Sequence, residues 1–323
     1  MTTAEASAPA TSGSPEPQTE ERKGLSTKAK VFIGIGIYLA VAVLLYLVFG
    51  SDGENTEFQP QEEFRLEPWI DLKIGGLDLS FNKAVLYVLL TCVLTISTMV
   101  YIARRMQDRP NRIQTIVEGA YDLTYNQIAR NNMPSEAAAK WFPLVATLFF
   151  FIWFSNMLGY IPLPVNTEET IDVLGLDFPA FALYAATANL SIPLVLTLTV
   201  FTLYQSEGIR NHGPIKYLKG WLPAGVTGPA AVPIFFIEVI SQFMRIISLS
   251  VRLFANILAG HLLILFMGGG LAVLLGIAAL GWITLPIAVV FFVLEVGLIA
   301  TLQAFIFATL TSIYFGEASA GGH

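Results

Sequence analysis

The stretch Ser248–Phe266, SLSVRLFANILAGHLLILF, decides how this chain is read. It is apolar enough to lie in a membrane, yet Arg252 stands inside it with no Asp or Glu close by in sequence. A guanidinium stays charged, and a charge near the bilayer centre is costly, so it needs water or an anion. With Arg252 as the origin of a helical wheel at about 100° per residue, Glu238, Ser241, Arg245, Ser248 and Asn256 all fall within about 40° of it. His261 falls on the opposite face. A polar stripe on so apolar a helix faces a partner, a water path, or both. Glu238 is about 21 Å away along the axis, too far for a direct pair. Glu295 is the only acid within the last apolar helix and the one candidate intrachain partner there. Failing that, the counter-charge comes from another chain or is transient. A static arginine bridging helices is the alternative.

The composition agrees with a membrane setting. Of 323 residues, 54% are hydrophobic and only 13% charged, a balance that excludes an ordinary soluble domain. The net charge of −6 does not point to nucleic acid. Cys92 is the only cysteine and reads as packing. His212, His261 and His323 lack metal-ligand spacing, so no metal or cofactor is expected. No G-x-x-x-x-G-K-[ST] loop occurs, so the chain does not itself bind nucleotide and no catalytic residue is assigned.

A spanning helix needs about 20 mostly apolar residues. Such runs occur at Val31–Phe49, Ala84–Ala103, Phe142–Leu163 and Pro179–Tyr204, followed by a nearly continuous stretch to Phe315. The triplet Gly268-Gly269-Gly270 divides that stretch into helices expected at Val232–Met267 and Leu271–Phe315. Gly276 or Pro286 offers a further break and a three-helix alternative. The fold class is therefore an all-α integral membrane protein of about six transmembrane helices, the last two long and strongly tilted. Residues 1–30 read as a disordered cytoplasmic tail, residues 31–49 as an additional first helix, and residues 81–316 as the main membrane domain. Lys and Arg cluster before the first helix, after the second (Arg104, Arg105, Arg109, Arg112) and after the fourth (Arg210, Lys216, Lys219). The alternate loops are acidic, which places both termini in the cytoplasm. Between Arg112 and Arg130 the apolar residues follow helical spacing, as expected of an amphipathic helix resting on lipid or a partner.

Together, SLSVRLFANILAGH and TLQAFIFATLTSIYF closely resemble subunit a of the F-type ATP synthase membrane sector. FFIEVISQ, FFFIWFSNMLGYIPLP and TANLSIPL extend the resemblance over about Phe81–Phe315. It implies the stator half of a proton-driven rotary motor in a bacterial plasma membrane. The implied partners are a ring of c subunits, each bearing a membrane carboxylate, b-type peripheral stalk subunits, and the F1 sector. Two offset half-channels would serve the ring. By this resemblance Arg252 matches the essential arginine, which favours an ionised ring carboxylate and blocks leakage between half-channels. Glu238 and His261 match positions of proton passage, and His261 stands where relatives have Glu or His. Gln303 matches the glutamine of the last helix and is expected to hydrogen-bond near Arg252. Ser248 and Asn256 match its polar neighbours. Asn156 and Asn189 match polar positions lining the external half-channel.

Three departures stand out. Gly159 occupies a place that is acidic in some relatives. Glu295 lies eight residues before Gln303, one more than the family spacing, which puts its direction and its part in proton translocation in question. Arg245 is an additional charge, expected near the cytoplasmic surface against lipid or water. Two rival functions fit less well. A voltage sensor carries more closely spaced arginines, and a secondary transporter is built from repeats that are not evident here.

Overall fold

The computed structural model describes residues 26–49, 64–74, 77–78, 80–105, 111–165, 170–173, 176–179, 181–222, 228–274 and 280–320. The expected tail, apart from its last few residues, and the acidic Asp52, Glu54, Glu57, Glu62 and Glu63 lie outside these. The chain divides into two compact units, Met1–Gly50 and Ser51–His323. In the first, α1 (Thr27–Phe49) is a 23-residue helix, about 34 Å long at 1.5 Å per residue. It provides the first helix expected from the sequence.

The second unit holds α2 (Lys83–Arg105), α3 (Arg112–Asp122), α4 (Ser135–Gly159), α5 (Ser191–His212), α6 (Pro214–Lys219), α7 (Ala231–Leu265), α8 (Leu271–Leu274), α9 (Gly281–Leu294) and α10 (Ala300–Ala320). Its strands form three two-stranded antiparallel ribbons: β1 (Lys73–Ile74) with β2 (Leu77–Asp78), β3 (Leu163–Pro164) with β6 (Phe181–Ala182), and β4 (Thr170–Val173) with β5 (Leu176–Pro179). Five helical segments of this unit are long and apolar enough to cross a membrane. The protein is an all-α multi-pass membrane protein. The last two segments, Gly228–Gly270 and Ile283–Ala320, have 43 and 38 residues. Each runs to about twice the ~30 Å hydrocarbon thickness, so it tilts, curves or protrudes.

Two boundaries differ from expectation. The fourth span starts at Ser191 rather than Pro179, and residues around Pro179 pair as β5 and β6 instead. Pro193 then falls in the first turn of α5, where its missing N–H costs nothing. The third span starts at Ser135, because its first turn carries Glu136 and Lys140 that hydropathy rejects. α8 is described over Leu271–Leu274 and α9 from Gly281; residues 275–279 between them lie outside the described residues. Pro286 lies inside α9 and does not break it, so the three-helix alternative fails there; Gly276 lies outside the described residues.

The segment after α2 is also less superficial than its amphipathic pattern suggests. α3 continues as a π-helical segment, Leu123–Arg130, in which Thr124, Ile128 and Ala129 are buried. Its first half keeps Ile116 exposed, but its second half joins the main core. That core is built where α4 packs along α10, with α5 and α7 closing it. Ile128, Val145, Ile152, Val200, Leu253, Ile257, Phe307 and Phe315 fill it. Gly316 allows the closest approach: a Cβ there would strike the Asn132 carbonyl oxygen, so only glycine lets α10 lie against this turn.

Candidate functional site

The polar stripe of α7 reaches the surface of the chain. Ser248, Arg252 and Asn256 are exposed, while Glu238, Ser241 and Arg245 are half-buried. Around them stand exposed Phe243, Met244, Ile247 and Val251 on α7, and Val289, Val290, Val293 and Leu298 on the last helical segment. Among the described residues no carboxylate comes within ion-pair distance of Arg252. Glu295 is not its partner.

Arg245, two turns earlier, has a different environment. Its Nη1 donates to Glu317 Oε2 at 2.6 Å across 72 residues of chain. The guanidinium also lies 4.9 Å from the centroid of the Tyr314 ring. Arg245 does more than meet lipid or water: although a quarter exposed, it takes both a counter-ion and a π-face from α10. A second ion pair, Lys140 with Glu207 at 2.6 Å, ties α4 to α5.

Glu238 begins a polar chain. Gln242, one turn on, donates from Nε2 to Glu238 Oε1 at 3.2 Å. Tyr204 of α5 donates to Gln242 Oε1 at 2.9 Å. Neither Gln242 nor Tyr204 was singled out from sequence. The i, i+4 spacing of Glu238 and Gln242 was the available signal.

On the opposite face of α7, His261 is 2% exposed. Its Nδ1 lies 3.0 Å from the Ile257 carbonyl oxygen and its Nε2 3.0 Å from that of Gly159. A neutral imidazole donates through one nitrogen only, so both carbonyls are satisfied together only when the ring carries two protons. Tyr160 stacks on the ring, centroids 4.6 Å apart and planes at 26°. The Tyr160 hydroxyl donates to Glu295 Oε2 at 3.0 Å. A Cβ at Gly260 would strike that carboxyl group, so the missing side chain beside His261 is what admits Glu295. A Cβ at Gly159 would collide with Ala185. An acid at that position would not fit this backbone.

The unexpected spacing of Glu295 has a structural cause. Glu295–Ile299 is a π-helical turn between α9 and α10. Such a turn absorbs one extra residue in a helix. Eight ordinary helical steps would rotate Glu295 by about 80° from Gln303, whereas seven rotate it by only about 20°. The burial pattern shows the shift: the inner face passes from Glu295 directly to Ala300, and Leu298 between them points outward. Glu295 thus shares the buried face of Gln303 despite its spacing.

Gln303 itself is buried, and no hydrogen bond joins it to exposed Arg252. Asn156 is fully buried; its Nδ2 donates to the Ala300 carbonyl at 3.3 Å and its Oδ1 accepts from Thr187 at 2.8 Å. Asn189 accepts from the Ser191 backbone N–H at 3.0 Å, fixing the turn into α5. These asparagines join elements, as helix-bridging amides in membranes do.

A family model described as ATP synthase A chain matches residues 85–316. The chain belongs to that family. It is 36% identical over 255 residues to ATP synthase subunit a of Rubrobacter xylanophilus, covering 77% of this chain and 88% of that protein. Against ATP synthase subunit a of Bradyrhizobium diazoefficiens it is 34% identical, covering 83% of this chain and all of the relative. With that of Parvibaculum lavamentivorans it shares 33% identity over 84% of this chain and 97% of the relative. Residues 85–316 include all nine candidate site residues, Asn156 and Asn189 as well as those on α7, the π turn and α10.

Proposed function

We propose that this chain is the proton-conducting stator subunit of a bacterial F-type ATP synthase, coupling proton flow to rotation of a ring of carboxylate-bearing c subunits. It makes no ATP itself. The b-type stalk subunits hold it, and the F1 sector uses the rotation. The observation that carries this reading is Arg252: a permanent cation, exposed on an apolar face and with no carboxylate within ion-pair distance among the described residues. A charge so placed in lipid requires a partner, and a carboxylate that arrives and leaves with each ring step supplies one.

Arg252 then has two tasks. It favours the ionised form of the arriving carboxylate by proximity, so the ring site surrenders its proton. It also stands between the two half-channels, where a fixed positive charge repels a passing proton. Ser248 and Asn256, exposed one turn either side, offer hydrogen bonds to the same carboxylate. Glu238, with Gln242 and Tyr204, lines the cytoplasmic half-channel. His261 and Glu295, with Asn156 and Asn189, line the external one, and Gln303 forms the wall between. The domain boundaries proposed are a tail at 1–30, an added helix at 31–49 and the proton-channel domain at 81–316, with both termini in the cytoplasm.

The test is Arg252→Ala in the assembled complex in membrane vesicles. ATP-driven acidification is expected to disappear and passive proton leak to rise. Normal pumping with assembly intact would sink the assignment.

A further inference from the structure

Tyr160 touches both titratable side chains of the inner face, and nothing in the motif reading assigned it a part. It lies at the end of α4, where the chain turns towards β3. Its hydroxyl donates to Glu295 Oε2 at 3.0 Å. Its ring covers His261 at 4.6 Å, and the carbonyl of the preceding residue, Gly159, receives the His261 Nε2 contact at 3.0 Å. Phe292 meets the Tyr160 ring edge-on at 5.8 Å. The tyrosine is 4% exposed and Glu295 5%.

We infer that Tyr160 is a positioning residue of the external proton path, binding His261 and Glu295 into a single unit. This rests on the proton-path reading above. Glu295 is admitted by the gap at Gly260, but a gap fixes no orientation. The phenol fixes it, because a tyrosine hydroxyl remains a donor at every physiological pH. The same ring holds the imidazole plane. A change at either titratable group is therefore felt at the other through one rigid side chain. The groups facing this point are His261 on α7 and Glu295 on the π turn. One contact beyond, across Phe64, lie Tyr184, Tyr87 and Lys83, whose Nζ sits 5.3 Å from the Tyr184 ring centroid.

The assembled complex in vesicles tests this with Tyr160→Phe, which keeps the stack and removes the hydroxyl. Losing this hydrogen bond should slow ATP-driven acidification per assembled complex on the order of tenfold. The pH at half-maximal rate should move. Combined with Glu295→Ala, Tyr160→Phe should add no further loss, since either change alone removes the bond. An unchanged per-complex rate and pH profile in Tyr160→Phe, even with less complex assembled, would overturn the inference and leave only a packing role. Glu295→Gln alone separates the two levels. If it pumps normally, the proton path through Glu295 and the role of Tyr160 both fall. If it fails while Tyr160→Phe behaves as wild type, only the role of Tyr160 falls.

Discussion

Arg245 and Arg252 lie on the same stripe of the same helix, two turns apart, and the protein treats them differently. Arg245 has a carboxylate at 2.6 Å and an aromatic face at 4.9 Å, both from α10. Arg252 is exposed and has no carboxylate within reach among the described residues. What differs is where the anion comes from. A cation whose anion is built in serves to hold helices together. A cation whose anion is absent from the chain is completed by another molecule, and it can be released again. On the proposed reading, that contrast, more than the presence of an arginine, singles out Arg252.

The strongest way to break the comparison is to remove each charge in turn. Arg252→Ala should lower coupled proton pumping roughly a hundredfold or more, the rate equivalent of ~3 kcal/mol for an unpaired buried carboxylate. Arg245→Ala should leave pumping per complex within about twofold. Equal losses in the two variants would erase the distinction.

A subtler test gives Arg252 what Arg245 already has. Ser248→Glu places an acid one turn before the arginine, the favourable orientation for an i, i+4 pair. A permanent partner competes with the transient one, and acidification should slow by about tenfold while assembly persists. Unaltered pumping would show that Arg252 need not be free to exchange partners.

The other ion pair, Lys140 with Glu207, calibrates the static case. Lys140→Ala leaves Glu207, 5% exposed, without its cation between α4 and α5. Breaking a pair around a buried carboxylate costs about 3 kcal/mol. The thermal midpoint of the detergent-solubilised complex should fall, with pumping per intact complex unchanged. A loss of pumping without loss of stability would move this pair into the proton path.

The smallest effect belongs to Arg245 with Glu317. Glu317 is half exposed, so the pair is screened and worth ~1 kcal/mol or less. Arg245→Ala and Glu317→Ala should each lower the thermal midpoint slightly. The double variant should match either single one, because the two remove one interaction. Additive losses would mean that Tyr314 or solvent, and not Glu317, holds Arg245.

Much of this was legible beforehand. Apolar run length gave the helices, and the 3.6-residue period put Glu238, Arg245, Arg252 and Asn256 on one stripe and His261 opposite. Those are properties of a chain within one helix, and local sequence carries them. The ends of helices were read less well. Hydropathy cannot distinguish the apolar β5 and β6 from the helix that follows, and it discards a first turn bearing Glu136 and Lys140.

The site was divided in the same way. The sequence alone determined that a permanent charge lies in an apolar helix and that no acid nearby in the chain balances it. It could not say that Arg245 finds Glu317, that Tyr160 reaches both His261 and Glu295, or that Gln242 meets Tyr204, because each contact joins residues distant in sequence. Nor could it align Glu295 with Gln303. Counting residues assumes one constant turn angle, and the π turn at Glu295–Ile299 breaks that assumption by one residue. Only the packed helices, with α10 held against α4 and Glu295 seated at Gly260, show which face that carboxylate takes.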